Sequence, residues 1–394
     1  MTAPAEPADL DALRARTAAQ LDAAGGFEQP WMRAAFEKVA RHAFVPRRVW
    51  EWHQGDRAYK PLDRAEAPDD WARLVYDATG SVVTQVDDGR PGPHGGALPT
   101  SSISAPDAVF TMLAAADVHP GQRILEIGAG TGYNAALLCE RAGAENVTTV
   151  EIDPTVAEGA EQALRATGYR PVLVVADGEK GCDSRAPFDR VISTASLSRV
   201  PGAWIAQTRP GGLVVAPWRS ALQPRGMAVL RITEEGRGEG HFGYPMAFMD
   251  LRGQRRDDHS PLQTLYSHDT WTSSRAGTTT LDMEWLDTDF HARFAVGLML
   301  PGLYADRQDT ADGSAWWLST DTSWAHVAET EIRQWGPRDL VADLEQAYRH
   351  WTQAGRPDLY EYGLTVTADG SQHPWLRTPD QPFRRRAVRR SRIS

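Results

Sequence analysis

The stretch ILEIGAGTGYNAALL, from Ile124 to Leu138, places Gly128, Gly130 and Gly132 at alternate positions behind Glu126. An apolar run, a glycine turn and a helical stretch in that order bring bare backbone N–H groups to a ligand at a helix start. The dinucleotide spacing G-x-G-x-x-G would need its third glycine where Tyr133 stands, and no Gly-Lys-Ser/Thr follows for a phosphate loop. Two further acids close apolar runs downstream: Glu151 in VTTVEID, and Asp177, followed by Gly178, in VVADG. A carboxylate at Glu126 would repel a pyrophosphate and attract an ammonium group. Glu151 is placed to accept hydrogen bonds from both hydroxyls of a ribose, and Asp177-Gly178 to meet an adenine edge. Acids gathered around one cleft mark a functional site. The ligand these groups suit is S-adenosyl-L-methionine. Ala129, Asn134 and Ile152 beside them, and Ser101 and Ile103 upstream, join the candidate cofactor contacts.

Strands and helices must hold these residues. The runs RILEIG, NVTTVEI, PVLVVAD, FDRVIST, GGLVVAPW and MAVLRIT read as strands, with helices beginning near Pro106, Gly132, Pro154 and Pro201. Strands apolar throughout and separated by helices imply a parallel sheet covered on both faces. The expected fold class is α/β: a doubly wound, Rossmann-like S-adenosylmethionine-binding domain, with N-terminal helices and a smaller C-terminal α+β domain. Ligands of such sheets sit beyond the carboxyl ends of the strands, where the three acids fall.

Three regions follow. Residues 1–100 contain helical stretches before Gly25-Gly26 and after Pro30, then the long loop DDGRPGPHGGALPTSS; residues 101–252 form the cofactor-binding domain. Residues 253–394 hold eight of the 14 tryptophans, an alternating run DFHARFAVGL that reads as a strand, and the helical GPRDLVADLEQAYRHWTQAG. Those tryptophans are expected mostly in a core, because large aromatics dominate burial. A basic tail, RRRAVRRSRIS, runs from Arg384.

Bulk properties exclude several classes. A net charge of −10 argues against a nucleic-acid partner. No apolar run approaches the roughly 18 to 20 residues of a membrane span, and the first residues lack the order of a signal peptide. Cys139 and Cys182 are too few for a disulfide framework, and no Cys/His cluster has metal-ligand spacing, so a reduced, cytoplasmic, metal-free protein is expected.

The chain resembles the protein-L-isoaspartate O-methyltransferase family. VARHAFVP (Val39 to Pro46), ISAP (Ile103 to Pro106), the glycine stretch, VADGEKG with APFDRVIST, TRPGGLVVAP and YPMAFMDL carry the likeness, over roughly residues 10 to 252. The resemblance implies S-adenosylmethionine-dependent methylation of a carboxylate, with Ser104 at the position of the serine regarded as active in the family and Ser102 as its companion. A carboxylate is ionised at neutral pH, so no general base is required. Ser104 could alternatively cap the helix after Pro106.

Departures from the family pattern modify the expectation. Asp107 and Val109 stand where a His-x-His pattern usually follows ISAP, the loop before ISAP is longer, and a tryptophan-rich extension follows. That layout is similar to a variant found beside ribosomally made, modified peptides such as lanthipeptides and graspetides. It implies a precursor peptide as partner and an ordinary Asp as acceptor, whose ester closes to an aspartimide and sometimes opens to isoaspartate. The third region and its basic tail would hold that peptide. Alternatives are repair of isoaspartyl proteins, a cofactor-bound scaffold without activity, and more distantly a nicotinamide oxidoreductase; the oligomeric state is open.

Overall fold

The structure is a computed structural model, described over residues 9–255, 261–310 and 313–381. The tail from Arg384 lies outside the described residues. Helices Leu10–Ala23 and Pro30–Lys38 open the chain. The second is shorter than its apolar pattern suggests, because Val39 and Ala40 turn extended before a single turn at Arg41–Phe44. Strands β1 (Arg48–His53), β2 (Ala58–Asp63), β3 (Val82–Val86) and β4 (Pro99–Ile103) then form an antiparallel sheet in the order β2-β1-β3-β4. The long glycine- and proline-rich loop is the connection between β3 and β4, pinned by backbone bonds between Tyr59 and Gly96.

The central sheet contains β5 (Ile124–Ile127), β6 (Val147–Glu151), β7 (Val172–Val175), β8 (Phe188–Ser193), β9 (Thr208–Arg219), β10 (Arg225–Ile232) and β11 (Gly238–Gly243). Pairing is parallel from β9 through β8, β5 and β6 to β7, and antiparallel from β9 to β10 and β11. Strand order reverses at β5, with β6 on one side and β8 on the other, and a crevice opens at such a point. Helices Pro106–Ala116, Tyr133–Ala142, Pro154–Ala166 and Gly202–Ala206 begin where proline and glycine placed them, the last being a single short turn. Asp153 caps the third, accepting from the N–H groups of Thr155 and Val156.

The region after residue 252 departs from an independent domain. Strands β12 (Arg275–Thr278), β13 (Tyr304–Thr310), β14 (Gly313–Thr320), β15 (Ser323–Ala328) and β16 (Glu331–Trp335) make their own antiparallel sheet. However, β17 (Tyr362–Val366) pairs with β11, and β18 (Gln372–Leu376) pairs with β17, so the chain's end completes the central sheet. One apolar cluster runs across the boundary: Phe294 meets Trp218 and Phe242 at ring separations of 5.5 and 5.1 Å. The division at residue 252 therefore does not separate two cores.

DFHARFAVGL is a helix, Phe290–Met299, and not a strand. Asp289 caps it through the N–H of Ala292, and Ala295 and Gly297 are buried along with Phe294, Val296 and Leu298, so the alternation arises from a helix covered on more than one side. Of the eight tryptophans beyond residue 252, Trp285, Trp316, Trp324, Trp351 and Trp375 are buried. Their burial matches the core role expected of large aromatics.

Candidate functional site

The site begins where β5 ends. Gly128 has φ +90° and Gly130 φ +54°, and a Cβ at Gly128 would lie 2.7 Å from Thr194 Oγ1. Only glycine takes such a turn at little cost. The N–H groups of Gly128 and Ala129 donate to Val150 O at 2.8 and 3.2 Å, fastening the turn to β6. Strand β4 crosses above it: a Cβ at Gly130 would stand 3.3 Å from Ser102 O. A cavity of about 1050 Å³ opens between these elements.

Glu151, at the end of β6, points into this cavity with its carboxylate held on three backbone N–H groups. Gly130 donates to Oε2 at 3.0 Å, and Ile152 and Asp153 donate to Oε1 at 3.0 and 3.1 Å. Two of these donors fill Oε1, so the lone-pair site that remains is on Oε2, free to accept from a ribose hydroxyl. Ile152 beside it presents an exposed apolar face, suited to lie against an aromatic base. Asp177 caps the turn at Gly178–Lys180 through the N–H of Glu179, and Trp204 Nε1 donates to Gly178 O at 2.8 Å, which fixes that corner.

The serines stand on the opposite wall. Ser101 is buried and receives a bond from Thr84 Oγ1 at 3.2 Å. Ser102 and Ser104 are half-exposed on the cavity wall, and neither hydroxyl bonds to a described residue. The helix Pro106–Ala116 has Ala105 as its N-cap, without a side-chain cap, so Ser104 is not spent on capping.

The cavity thus gathers Ser101, Ser102, Ile103, Ser104, Gly128, Ala129, Gly130, Asn134, Glu151, Ile152, Asp177 and Gly178. Two expected contacts are not among its walls. Glu126 is fully buried beneath the loop, where Asn134 Nδ2 donates to Oε1 at 2.7 Å and Thr149 Oγ1 to Oε2 at 2.5 Å. Burial pushes its carboxyl up to about 7. Its hydrogen bonds tie the helix Tyr133–Ala142 to β6, and its full burial leaves no face toward the cavity for the ammonium contact expected of it. Gly132 is pressed against the helix Pro154–Ala166, where a Cβ would meet Leu164 Cγ at 3.0 Å and Ala160 O at 3.2 Å.

Sequence reading missed several cavity residues. Arg219, at the end of β9, donates from Nε to Asp250 Oδ1 at 2.6 Å and pairs its Nη2 with Oδ2. Arg225, at the start of β10, also lines the cavity, as do Tyr304 and Asp306 of β13. The rule that singled out Glu151 and Asp177 at strand ends applies equally to Arg219. On another side Arg252 bridges Asp153 at 3.1 Å and Asp88 at 3.3 Å, while Arg255 forks onto Asp88 with contacts of 2.9 and 2.5 Å.

The glycine cradle, the braced Glu151 carboxylate, the Asp177 corner and an unpartnered buried Asn134 Oδ1 fit S-adenosylmethionine, which offers hydroxyl and amine donors around a sulfonium. Fold and site together define an S-adenosylmethionine-dependent methyltransferase of the doubly wound class. Residues 72–247 match the family described as protein-L-isoaspartate(D-aspartate) O-methyltransferase. A relative named protein-L-isoaspartate O-methyltransferase, from Hyperthermus butylicus, is 32% identical over 241 residues, covering 57% of this chain and 94% of its own. One from Gloeobacter violaceus is 34% identical over 235 residues, covering 59% and 96%. A local match to the Ignicoccus hospitalis protein reaches 45% over 118 residues but spans only 29% of this chain and 56% of that one. A solved protein-L-isoaspartate O-methyltransferase aligns with 93% of this chain and 100% of its own at TM-score 0.53 and 18% identity, a likeness of fold. The chain belongs to the protein-L-isoaspartate O-methyltransferase family and is a carboxyl O-methyltransferase. That alignment reaches beyond residue 252, so the likeness of fold extends into the C-terminal region.

Proposed function

We propose that this protein methylates the free carboxylate of an isoaspartyl residue in a protein or peptide, with Ser104 and Ser102 holding the acceptor. The observation that carries the reading is a pair of hydroxyls with no partner among the described residues, one on a strand laid over the glycine turn and one just past its end. When bound, S-adenosylmethionine supplies an activated methyl group. Neutral hydroxyl donors can aim one carboxylate oxygen without stabilising its charge as strongly as a cation would. Catalysis then comes from alignment and from excluding water. The names of the relatives that this chain nearly spans support the isoaspartyl acceptor.

A second reading is an ordinary Asp in a modified, ribosomally made precursor peptide, whose methyl ester closes to an aspartimide as the next backbone nitrogen attacks the ester carbonyl and methoxide leaves with the amide proton as methanol. One observation favours it: Asp107, where the family pattern has histidine, lies on the cavity wall, so the acceptor's surroundings differ from the usual pattern. Offering one peptide with isoaspartate, the same peptide with Asp, and a constrained lanthipeptide or graspetide precursor decides between them by mass spectrometry. Ester on the isoaspartyl peptide alone supports repair. Ester or imide confined to the constrained precursor moves the assignment to peptide tailoring.

A further inference from the structure

The last register pair of the β9–β10 hairpin sets Arg225 directly opposite Arg219. Like charges in that position repel. Arg219 has its counter-charge, since both oxygens of Asp250 face its guanidinium. Among the described residues Arg225 has no ion pair: it is half-buried, and its one hydrogen bond there runs from Nη1 to the carbonyl of Phe248 at 3.0 Å. The charges acting on it are Asp250, already engaged, and Arg219. A guanidinium offers five N–H donors, and one is used here. Both arginines line the same cavity as Ser102 and Ser104.

A surplus cation withdrawn from water is costly unless an anion completes it. The acceptor carboxylate is a poor candidate, because methyl transfer removes its charge. A guanidinium on it would stabilise the reactant more than the transition state. An anion that keeps its charge throughout the reaction suits Arg225 better. The chain as a whole carries a net charge of −10, so attraction for an acidic segment has to come from a local feature of this kind.

We propose that Arg225 binds a second carboxylate of the substrate, so that the cleft selects peptides with an acidic side chain close to the methyl acceptor. This rests on reading the cleft as a peptide-methylation site, and the test separates the two. Two isoaspartyl peptides of one length are compared, with Glu or Gln flanking the acceptor. Their binding to protein saturated with S-adenosylhomocysteine is read by fluorescence anisotropy, and methyl ester formation is read separately.

Wild type is expected to bind the Glu peptide about tenfold more tightly, the range of one charge-assisted hydrogen bond. The ratio should fall close to one in Arg225→Gln and Arg225→Met, and survive in part in Arg225→Lys. Retained S-adenosylhomocysteine binding confirms that the variants fold. Equal binding by wild type, a ratio preserved in both Arg225→Gln and Arg225→Met, or no binding of either peptide would overturn the assignment. Discrimination without ester on either peptide leaves the anion site standing and removes the isoaspartyl reading. Ester without discrimination does the reverse.

Discussion

The backbone N–H of Gly130 donates to Glu151 Oε2 at 3.0 Å, which ties the tip of the glycine turn to the end of β6. The carboxylate that would meet a ribose is thereby oriented by the same turn that would leave room for the rest of the nucleoside. The serine wall is a separate element, and binding and transfer should be separable by mutation.

Ser104→Ala should lower kcat/KM for an isoaspartyl peptide roughly tenfold to a hundredfold, the loss of about 1.5–3 kcal/mol from one hydrogen bond to a charged group. Affinity for S-adenosylhomocysteine should stay as it is, since the proposed partner of Ser104 is the acceptor. Steady-state kinetics with a parallel binding titration checks this, and equal loss in both measurements would move Ser104 to the cofactor.

Glu126→Gln should change the pH dependence of stability. Folding raises this carboxyl from 4.5 to about 7 through burial. The protonated form therefore favours the folded state fully below about pH 4.5, and that contribution is lost as pH rises through 7. Glutamine stays neutral throughout. Melting scans should show the variant gaining on wild type between pH 5 and pH 8, by about 1–3 kcal/mol at the upper end. A constant difference across that range would contradict a buried, proton-binding Glu126.

Asp88 joins Arg252 and Arg255 at the cleft edge, and Arg255 above all holds its carboxyl below the usual range. Arg252 also reaches Asp153, next to the Glu151 corner. Asp88→Asn should speed release of S-adenosylhomocysteine severalfold in stopped flow. The difference should shrink in high salt, because these side chains are partly exposed to solvent.

Much of the site is legible from sequence because its signals are local. A glycine turn fixes its own backbone, Glu151 ends its own strand, and Asp177 follows two residues after the end of β7. The illegible parts depend on distant partners. Nothing near Tyr362–Val366 tells that β17 pairs with β11 and not with β16, since an alternating strand suits either sheet. Arg225 gains its meaning only when the hairpin sets it against Arg219. Glu126 looked like a cleft acid because strand position alone does not say which face a side chain takes. The Asn134 and Thr149 partners that bury it come from a helix and from β6. Asp289, three residues before Ala292, was the readable sign that Phe290–Met299 is a helix.

Equilibrium dialysis of labelled S-adenosylhomocysteine against wild type and Glu151→Ala tests the cofactor site most directly. Wild type should retain one nucleoside per chain, and Glu151→Ala should lose at least about tenfold in affinity, the scale of a lost hydrogen bond to a charged group. No retention by wild type, or equal retention by both proteins, would contradict a cofactor pocket built on the Glu151 carboxylate and the glycine turn.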